Sequence, residues 1–228
     1  MNRIVVVVEM ITRDLLRRRA VLILLSLVPL VFYLARHEDK VGQSVRFASL
    51  GVAWAVSTLA LFSGTAGKLT EPRLVIGGYR VWHLFLGRLV ALWTIGLVLA
   101  FAYAGVVLID QDIRRPFGLV LLFVLTAFVA APLGLFIGAL VPRDLEGTLI
   151  LITMLALQFL VDPARGTAKL LPLWSDRQIG TYTIDLADRS YLSSGLLHGL
   201  LYGLGLTAVT AALAFVRLRR RPHLRTAA

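Results

Sequence analysis

Residues 117–141 read FGLVLLFVLTAFVAAPLGLFIGALV, a stretch without a single charged side chain. The hydrocarbon core of a bilayer is about 30 Å thick and is crossed by about 20 apolar residues in a helix. This stretch therefore predicts a membrane-spanning helix. The whole chain agrees, because 58% of its 228 residues are hydrophobic and only 16% are charged, against about 25% charged residues in soluble domains.

Five further stretches have the length and composition of a span, or come close to it: Ala20–Ala35, Phe47–Gly67, Leu89–Ile109, Thr148–Val161 and Leu192–Val216. Together with Phe117–Val141 they predict an all-α polytopic membrane protein with six transmembrane helices. The loops between them are too short for a soluble domain. We therefore expect one transmembrane domain over 1–228, with 1–19 before the spans, 20–216 containing them, and a basic tail at 217–228.

The basic residues predict the orientation of these spans. The chain has 24 Lys and Arg residues against 13 Asp and Glu residues, a net charge of +11. With six spans, the N-terminal segment, the second and fourth loops and the tail share one side of the membrane. That side holds fifteen of the basic residues, and an excess of Lys and Arg marks the cytoplasmic side. We expect both termini on the cytoplasmic side, with the charge facing anionic lipid rather than nucleic acid.

The first residues of the chain predict an amphipathic helix. Apolar side chains recur there at helical spacing, at Ile4, Val7, Val8, Ile11 and Leu15. Such a helix is typical of segments that lie in the membrane interface. The alternative is an N-terminal extension of the first span.

The second loop, Lys68–Arg88, is too long and too apolar for a simple connector. Its charged residues alternate with large apolar ones, and Gly77-Gly78 interrupts it. We predict a short cytoplasmic helix with a surface for a partner protein. The alternative is that Leu84–Arg88 begins the third span and the rest packs on lipid headgroups.

The fifth loop, Asp162–Tyr191, contains the apolar patch Leu170–Trp174 followed by the polar residues Ser175–Ser190. A patch of this kind predicts a re-entrant segment, which enters the membrane and returns to the same side.

Several kinds of chemistry find no support in the residues. Gly67-Lys68 lacks the earlier glycine and the Ser or Thr of a phosphate-binding loop. Thiolate chemistry is excluded because the chain has no cysteine. The predicted spans contain essentially no carboxylate, which disfavours ion-coupled transport, and His198 is their one imidazole. We predict no catalytic residue, no metal site and no cofactor. An intramembrane hydrolase using Ser194 and His198 is a remote alternative.

Small residues predict close helix packing in two spans. Gly195, Gly199 and Gly203 recur every four residues in the sixth span, and Gly134 and Gly138 do so in the fourth. Glycine at this spacing lets another helix approach closely. The partner helix could belong to the same chain, to a second copy, or to a substrate path.

These features together resemble the membrane-spanning subunit of an ABC-2 type exporter. The layout is similar: an interfacial helix, six spans, a cytoplasmic coupling helix and a re-entrant outer segment. The stretch from Glu71 through Gly77-Gly78 to Gly87-Arg88 resembles the coupling stretch of that family, although its usual Gly-Thr-Leu is missing. Leu171-Pro172-Leu173-Trp174 resembles the element that precedes the last span in that family.

The resemblance implies a place in the inner membrane of a bacterial cell, and it also implies partners and a mode of action. A permease of this family binds two copies of a cytoplasmic ATPase and a second permease, identical or related. The residues implied to dock on the ATPase are Arg73, Gly77, Gly78, Tyr79, Arg80 and Trp82. The implied activity is ATP-driven export, by alternating access, of a hydrophobic or amphipathic molecule such as a drug, an antibiotic or a lipid, and hence multidrug resistance. The alternative from another class is a membrane scaffold or accessory subunit that transports nothing.

Overall fold

The computed structural model describes residues 3–17, 19–37, 41–161, 166–185 and 188–219. Predictions that concern Arg18, Lys40, Asp162–Arg165 or residues 220–228 of the tail lie outside these ranges. Within them the chain forms helices and no β-strand. The α-helices are α1 (Arg3–Arg17), α2 (Arg19–Leu34), α3 (Val41–Ile76), α4 (Val81–Asp110), α5 (Pro116–Leu140), α6 (Asp144–Leu160), α7 (Trp174–Gly180) and α8 (Arg189–Arg219). A 3₁₀ turn, Gly166–Leu170, precedes α7, and a π-helical turn, Thr181–Asp185, follows it.

Four helices in the described ranges are long and apolar enough to cross a membrane. Their apolar parts are Val41–Lys68, Val81–Asp110, Pro116–Leu140 and Arg189–Arg217. They contain the second, third, fourth and sixth predicted spans. The first and fifth predicted spans lie in α2 and α6, which have 16 and 17 residues. At 1.5 Å per residue these helices are about 24 and 26 Å long, shorter than the hydrocarbon core of a bilayer.

Helix α5 lies in the middle of the bundle, between α3, α4 and α8. Its sequence is apolar on every face, and side chains all around it are buried, among them Leu122, Phe123 and Leu133. A helix that is hydrophobic all round is the kind that occupies a protein interior. The closest approach is to α3, where a Cβ added at Gly134 would lie 2.0 Å from the carbonyl oxygen of Ser57.

The bundle has two ends, and contacts between distant segments define both. We call the end with the turn at Gly77–Arg80 the hairpin end. There α1 meets the turn, α8 meets α3 through Arg217 and Glu71, and Lys68 of α3 donates to the carbonyl of Val141, which caps α5. At the opposite end, His37 after α2 contacts Asp110 of α4 at 2.7 Å. The described parts of the segments predicted to share the cytoplasmic side thus meet at the hairpin end.

The N-terminal segment forms the predicted amphipathic helix. In α1 the buried side chains are Val7, Ile11 and Leu15, all on one face. This face packs on α4, where Gly87 leaves room for the Val7 side chain: a Cβ added at Gly87 would lie 2.5 Å from Val7 Cγ1. Helix α1 ends at Arg17 and α2 begins at Arg19, and Arg18 between them lies outside the described residues.

The prediction of a separate coupling helix within Lys68–Arg88 is wrong. Helix α3 continues to Ile76 and α4 already begins at Val81, so the loop is the tip of a helical hairpin. Gly78 has a φ of 87°, and the amides of Gly78 and Tyr79 donate to the carbonyls of Val75 and Leu74. This is the Schellman pattern that ends helices at a glycine. The glycine pair therefore ends α3, and the chain reverses direction within four residues. The segment between α3 and α4 is too short for another helix.

Candidate functional site

The six residues predicted to bind a partner lie together on the hairpin tip. Arg73 is in the last turn of α3, Gly77 and Gly78 form the turn, Tyr79 follows it, Arg80 is extended, and Trp82 is in the first turn of α4. All are exposed except Tyr79, which is half-buried. The Trp82 side chain remains 47% exposed although its ring stacks on His83 at 3.9 Å. The tip therefore presents glycine backbone, two guanidinium groups and an aromatic ring to its surroundings.

Helix α1 is hydrogen-bonded to this tip. The Arg3 guanidinium donates to the carbonyl oxygen of Gly78 at 2.7 Å, and Val7 packs against Gly87, the residue immediately before Arg88. A displacement of the tip would consequently carry α1 with it.

Behind the tip, Glu71 joins three helices through two ion pairs. Its carboxylate accepts from Arg88 Nη1 of α4 at 2.5 Å and from Arg217 Nη2 of α8 at 3.3 Å. Glu71 is itself buried on α3. The sequence drew attention to Glu71 and Arg88 as the limits of a coupling stretch, but not to their pairing. The only available signal was an acidic and a basic residue on either side of the glycine turn.

Gly67 and Lys68, rejected above as a phosphate loop, have a structural role here. A Cβ at Gly67 would lie 2.2 Å from the Arg88 guanidinium, so glycine leaves the space in which that group reaches Glu71. The Lys68 ammonium donates to the Val141 carbonyl at the carboxyl end of α5. Positive charge at that position is favoured by the helix dipole.

A cavity of about 450 Å³ opens beside this junction, between α3, α4, α5 and α8. Apolar groups such as Phe85, Leu135 and Leu213 form most of its wall, and Glu71, Arg88 and Arg217 lie at its polar part. The lining is therefore mostly apolar, with charged side chains on one side.

At the opposite end of the bundle, the segment that includes α7 is buried between other helices. Leu173, Ser175 and Ile179 are inaccessible to solvent or nearly so, and α7 packs on α8, α5 and α3. Leu170 of the apolar patch, in contrast, is 75% exposed. Ala168, in the 3₁₀ turn, is also buried, so burial of this segment begins before α7.

This segment contains a buried acidic group, the Asp176 carboxyl. Its Oδ2 lies 2.7 Å from Thr126 Oγ1, and Thr126 is ten residues from the start of α5, or about 15 Å along the helix axis. The predicted spans do lack carboxylates, but the structure brings one from the loop before α8 to the middle of α5. Burial raises the pKa of Asp176, which lies outside the four spanning helices, to about 7, against the lowering effect of the Thr126, Ser175 and Ser49 hydroxyls.

The glycines of α8 face helices of the same chain. Gly195 lies against α7, where an added Cβ would be 2.7 Å from Ile179 Cγ1. Gly199 and Gly203 lie against the Leu125 and Phe128 side chains of α5. On α5, Gly138 like Gly134 faces α3, with an added Cβ 3.1 Å from the Leu61 carbonyl oxygen. The structure thus accounts for each of these five glycines by packing within one chain.

His198 makes no catalytic pair with a serine within the described residues. Its Nε2 lies 2.8 Å from the Lys169 carbonyl oxygen and its ring packs edge-on against Trp174. The other ring nitrogen, Nδ1, has no hydrogen-bond partner in those ranges. His198 therefore links α8 to the segment before α7.

Replacing Gly199 with leucine is expected to destabilise the protein by about 2 kcal/mol, because the new side chain must displace Leu125 from a filled interior. Gly205→Leu is the matched control, since Gly205 is on the same helix and an added Cβ meets nothing within 4 Å. Unfolding in mixed detergent micelles measures both. Equal stability of the two variants would contradict the packing of α8 on α5.

No protein-family model matches this sequence, and no curated protein matches it either. Its function has to be inferred from the geometry of its own residues.

Proposed function

We propose that the chain is the permease subunit of an ATP-driven exporter of the ABC-2 type, in the inner membrane of a bacterial cell. In this proposal α2 and α6 complete a set of six spans, and both termini lie in the cytoplasm at the hairpin end. Two copies of a separate ATPase bind there, and a second permease, identical or related, completes the transporter.

The exposed hairpin tip is the observation that carries this proposal. Two helices of 36 and 30 residues meet at the tip, and each contains a segment of spanning length. A protein bound to Arg80 and Trp82 would therefore act directly on two membrane helices. The glycine backbone at Gly77-Gly78 allows a partner to approach without steric hindrance.

The Glu71 ion pairs would distribute such a movement. Because Glu71 binds Arg88 and Arg217, the hairpin cannot tilt without moving α8 or breaking a pair. Alternating access requires concerted movement of several helices, and the junction supplies the connection between three of them. ATP binding and hydrolysis would take place in the partner, which moves the tip.

The substrate class follows from the walls of the cavity. An apolar chamber between α5 and α8 with arginine and glutamate at one side suits a hydrophobic or amphipathic molecule such as a drug, an antibiotic or a lipid. The second permease has a surface available on α8, which exposes Leu197, Leu201 and Leu204. Of the four spanning helices, α8 is the least covered by its own chain.

Reversing the charge of Arg80 tests the docking surface. Co-expressed with its candidate ABC ATPase, the Arg80→Glu chain is expected to lose association at least tenfold, and with it the stimulation of ATP hydrolysis that the unaltered chain causes. The physical reason is that a glutamate replaces an exposed cation at the tip of the contact. Co-purification and ATP turnover in the same detergent preparation are the measurements.

Arg114→Glu is the matched control, because Arg114 is also exposed but lies between α4 and α5, at the opposite end of the bundle. Unchanged association and turnover in Arg80→Glu would contradict the proposal. Association without any effect on ATP turnover would favour the alternative of a scaffold or accessory subunit. An intramembrane hydrolase would instead require activity in the isolated chain that is lost in His198→Ala.

A further inference from the structure

The Asp176 carboxyl is a buried acid that no basic side chain contacts within the described residues. It is 5% exposed, and its contacts are three hydroxyls: Thr126 Oγ1 at 2.7 Å, Ser175 Oγ at 3.4 Å and the Ser49 hydroxyl. An ionised carboxylate removed from water without a counter-ion is strongly disfavoured. The site therefore favours the neutral acid.

The hydrogen bonds around the site can be completed with Asp176 neutral. Thr126 Oγ1 lies 2.7 Å from the Leu122 carbonyl oxygen, and Ser49 Oγ lies 2.9 Å from the Arg46 carbonyl oxygen. A hydroxyl has one proton to donate and two lone pairs. When each hydroxyl donates to the carbonyl of its own helix, it keeps lone pairs, and one of the two can accept the single hydrogen bond that the Asp176 carboxyl donates.

The same hydroxyls can also serve the ionised form. Rotated away from their own helices, Thr126 and Ser49 donate to the carboxylate, and the Leu122 and Arg46 carbonyls lie in helices that supply amide donors. The site thus has a hydrogen-bonded arrangement with the proton and another without it. That property distinguishes a site that exchanges a proton from an acid fixed in one state.

The charged and titratable side chains on the elements around α7 do not contact the Asp176 carboxyl. They are Arg46 on α3, Lys169 in the 3₁₀ turn, Arg177 on α7, Tyr182 and Asp185 in the π-helical turn, and Arg189 and His198 on α8, whereas α5 has no charged residue. Arg177 donates to the Val161 carbonyl at 3.0 Å, and Lys169 lies over the Trp174 ring. None of these groups takes part in setting the charge of Asp176.

We propose that Asp176 is a proton-binding site and that the bound proton holds α7 within the bundle. With the proton bound, α7 stays packed against α3, α5 and α8. Loss of the proton leaves a charge that is better solvated outside the bundle, and α7 shifts toward solvent. The segment suits such a movement because α7 is seven residues long and lies between a 3₁₀ and a π-helical turn.

The proposal goes beyond transport powered by an ATPase and does not depend on it. The site lies in the half of the bundle opposite the hairpin tip, about 15 Å along α5 from its start, and its ligand is a proton. An Arg80→Glu result that contradicts the docking surface would not affect the proposed proton site. A negative result for the proton site would likewise not affect the proposed docking surface.

The expected pH dependence follows from the two environments. Exposed Asp has a pKa of about 3.9, and the buried Asp176 carboxyl has a pKa of about 7. Between these values the released form of α7 is ionised and the packed form is neutral. The equilibrium constant for release therefore rises about tenfold per pH unit and levels off above the higher value.

A single cysteine measures this release, since the chain has none of its own. Ile179→Cys places a thiol at a buried position on α7, and its rate of reaction with a water-soluble maleimide reports how often α7 is exposed. The rates are compared between Asp176 and Asp176→Asn backgrounds at each pH from 5 to 8, which cancels the ionisation of the thiol. We expect the ratio of the two rates to rise about tenfold per pH unit up to about pH 7.

Infrared spectroscopy detects the proton itself. The carbonyl stretch of a protonated carboxylic acid is expected at pH 5, to disappear at pH 9, to be absent in Asp176→Asn and to remain in Asp188→Asn, whose carboxylate is exposed. Thr126→Val provides a second variant: it removes a hydroxyl that favours the ionised form and should move the transition to higher pH. A ratio of rates independent of pH, or a band that persists in Asp176→Asn, would overturn the proposal. A ratio that follows Na⁺ at constant pH would also overturn it, in favour of a metal cation.

Discussion

Replacing Glu71 with alanine is expected to lower the free energy of unfolding by about 3 kcal/mol, because it removes the carboxylate of two largely buried ion pairs. The Glu71, Arg88 and Arg217 side chains are only 9%, 12% and 24% exposed. Water can therefore replace the lost carboxylate only in part. Unfolding by SDS in mixed micelles, followed by the fluorescence of the four tryptophans, measures the difference.

Glu9→Ala is the matched control for this variant. Glu9 also binds an arginine, Arg13, at 2.6 Å, but the two side chains are 49% and 71% exposed, and the pair lies within one helix. Exposed pairs of this kind contribute less than about 1 kcal/mol. If the two variants lose the same stability, Glu71 does not hold α3, α4 and α8 together.

Gly134→Ala is expected to cost about 3 kcal/mol or to prevent assembly of the bundle, although it adds a single methyl group. The new Cβ would lie 2.0 Å from the Ser57 carbonyl oxygen and 2.7 Å from the Ser57 carbonyl carbon. These are backbone atoms in the middle of α3, so the clash is relieved only by moving α3 and α5 apart. Such overpacking typically costs 1–3 kcal/mol, and here no flexible side chain can yield.

Gly105→Ala makes the same chemical change where an added Cβ meets nothing within 4 Å. Alanine is the better helix former by about 1 kcal/mol, so this variant should be as stable as the unaltered chain or slightly more so. Thermal unfolding in detergent compares the pair. Similar midpoints for Gly134→Ala and Gly105→Ala would show that α3 and α5 are farther apart than described here.

The membrane character of the chain was predictable because it depends only on the composition of long stretches. The four longest apolar runs lie in the four helices of spanning length, and the periodicity of Val7, Ile11 and Leu15 identified the buried face of α1. Both signals are local, within one helix. The glycines of α8 were likewise visible as a stripe, although the sequence could not say which helix they face.

The features that the sequence did not predict involve groups whose contact partners are distant in sequence. The break at Gly77-Gly78 was interpreted as the middle of an independent segment, whereas the backbone uses it to end α3 and reverse direction. Glu71 and Arg88 then meet across the hairpin. Asp176 lies in a polar stretch of sequence, of a kind typical of exposed loops. In the structure it is buried against Thr126, which lies fifty residues earlier in the chain. No short-range pattern distinguishes a buried seven-residue helix from a surface loop.

The close contact between Gly134 and Ser57 is a point about which α3 could tilt against α5. Ser57 is about 24 Å from the start of α3 and about 29 Å from its end at Ile76, at 1.5 Å per residue. A rotation of α3 by about 10° around this contact would displace the hairpin tip by about 5 Å and the start of the helix by about 4 Å in the other direction. A tilt of α3 would thus move its two ends in opposite directions, and the part before Ser57 contains Ser49, whose hydroxyl lies beside Asp176.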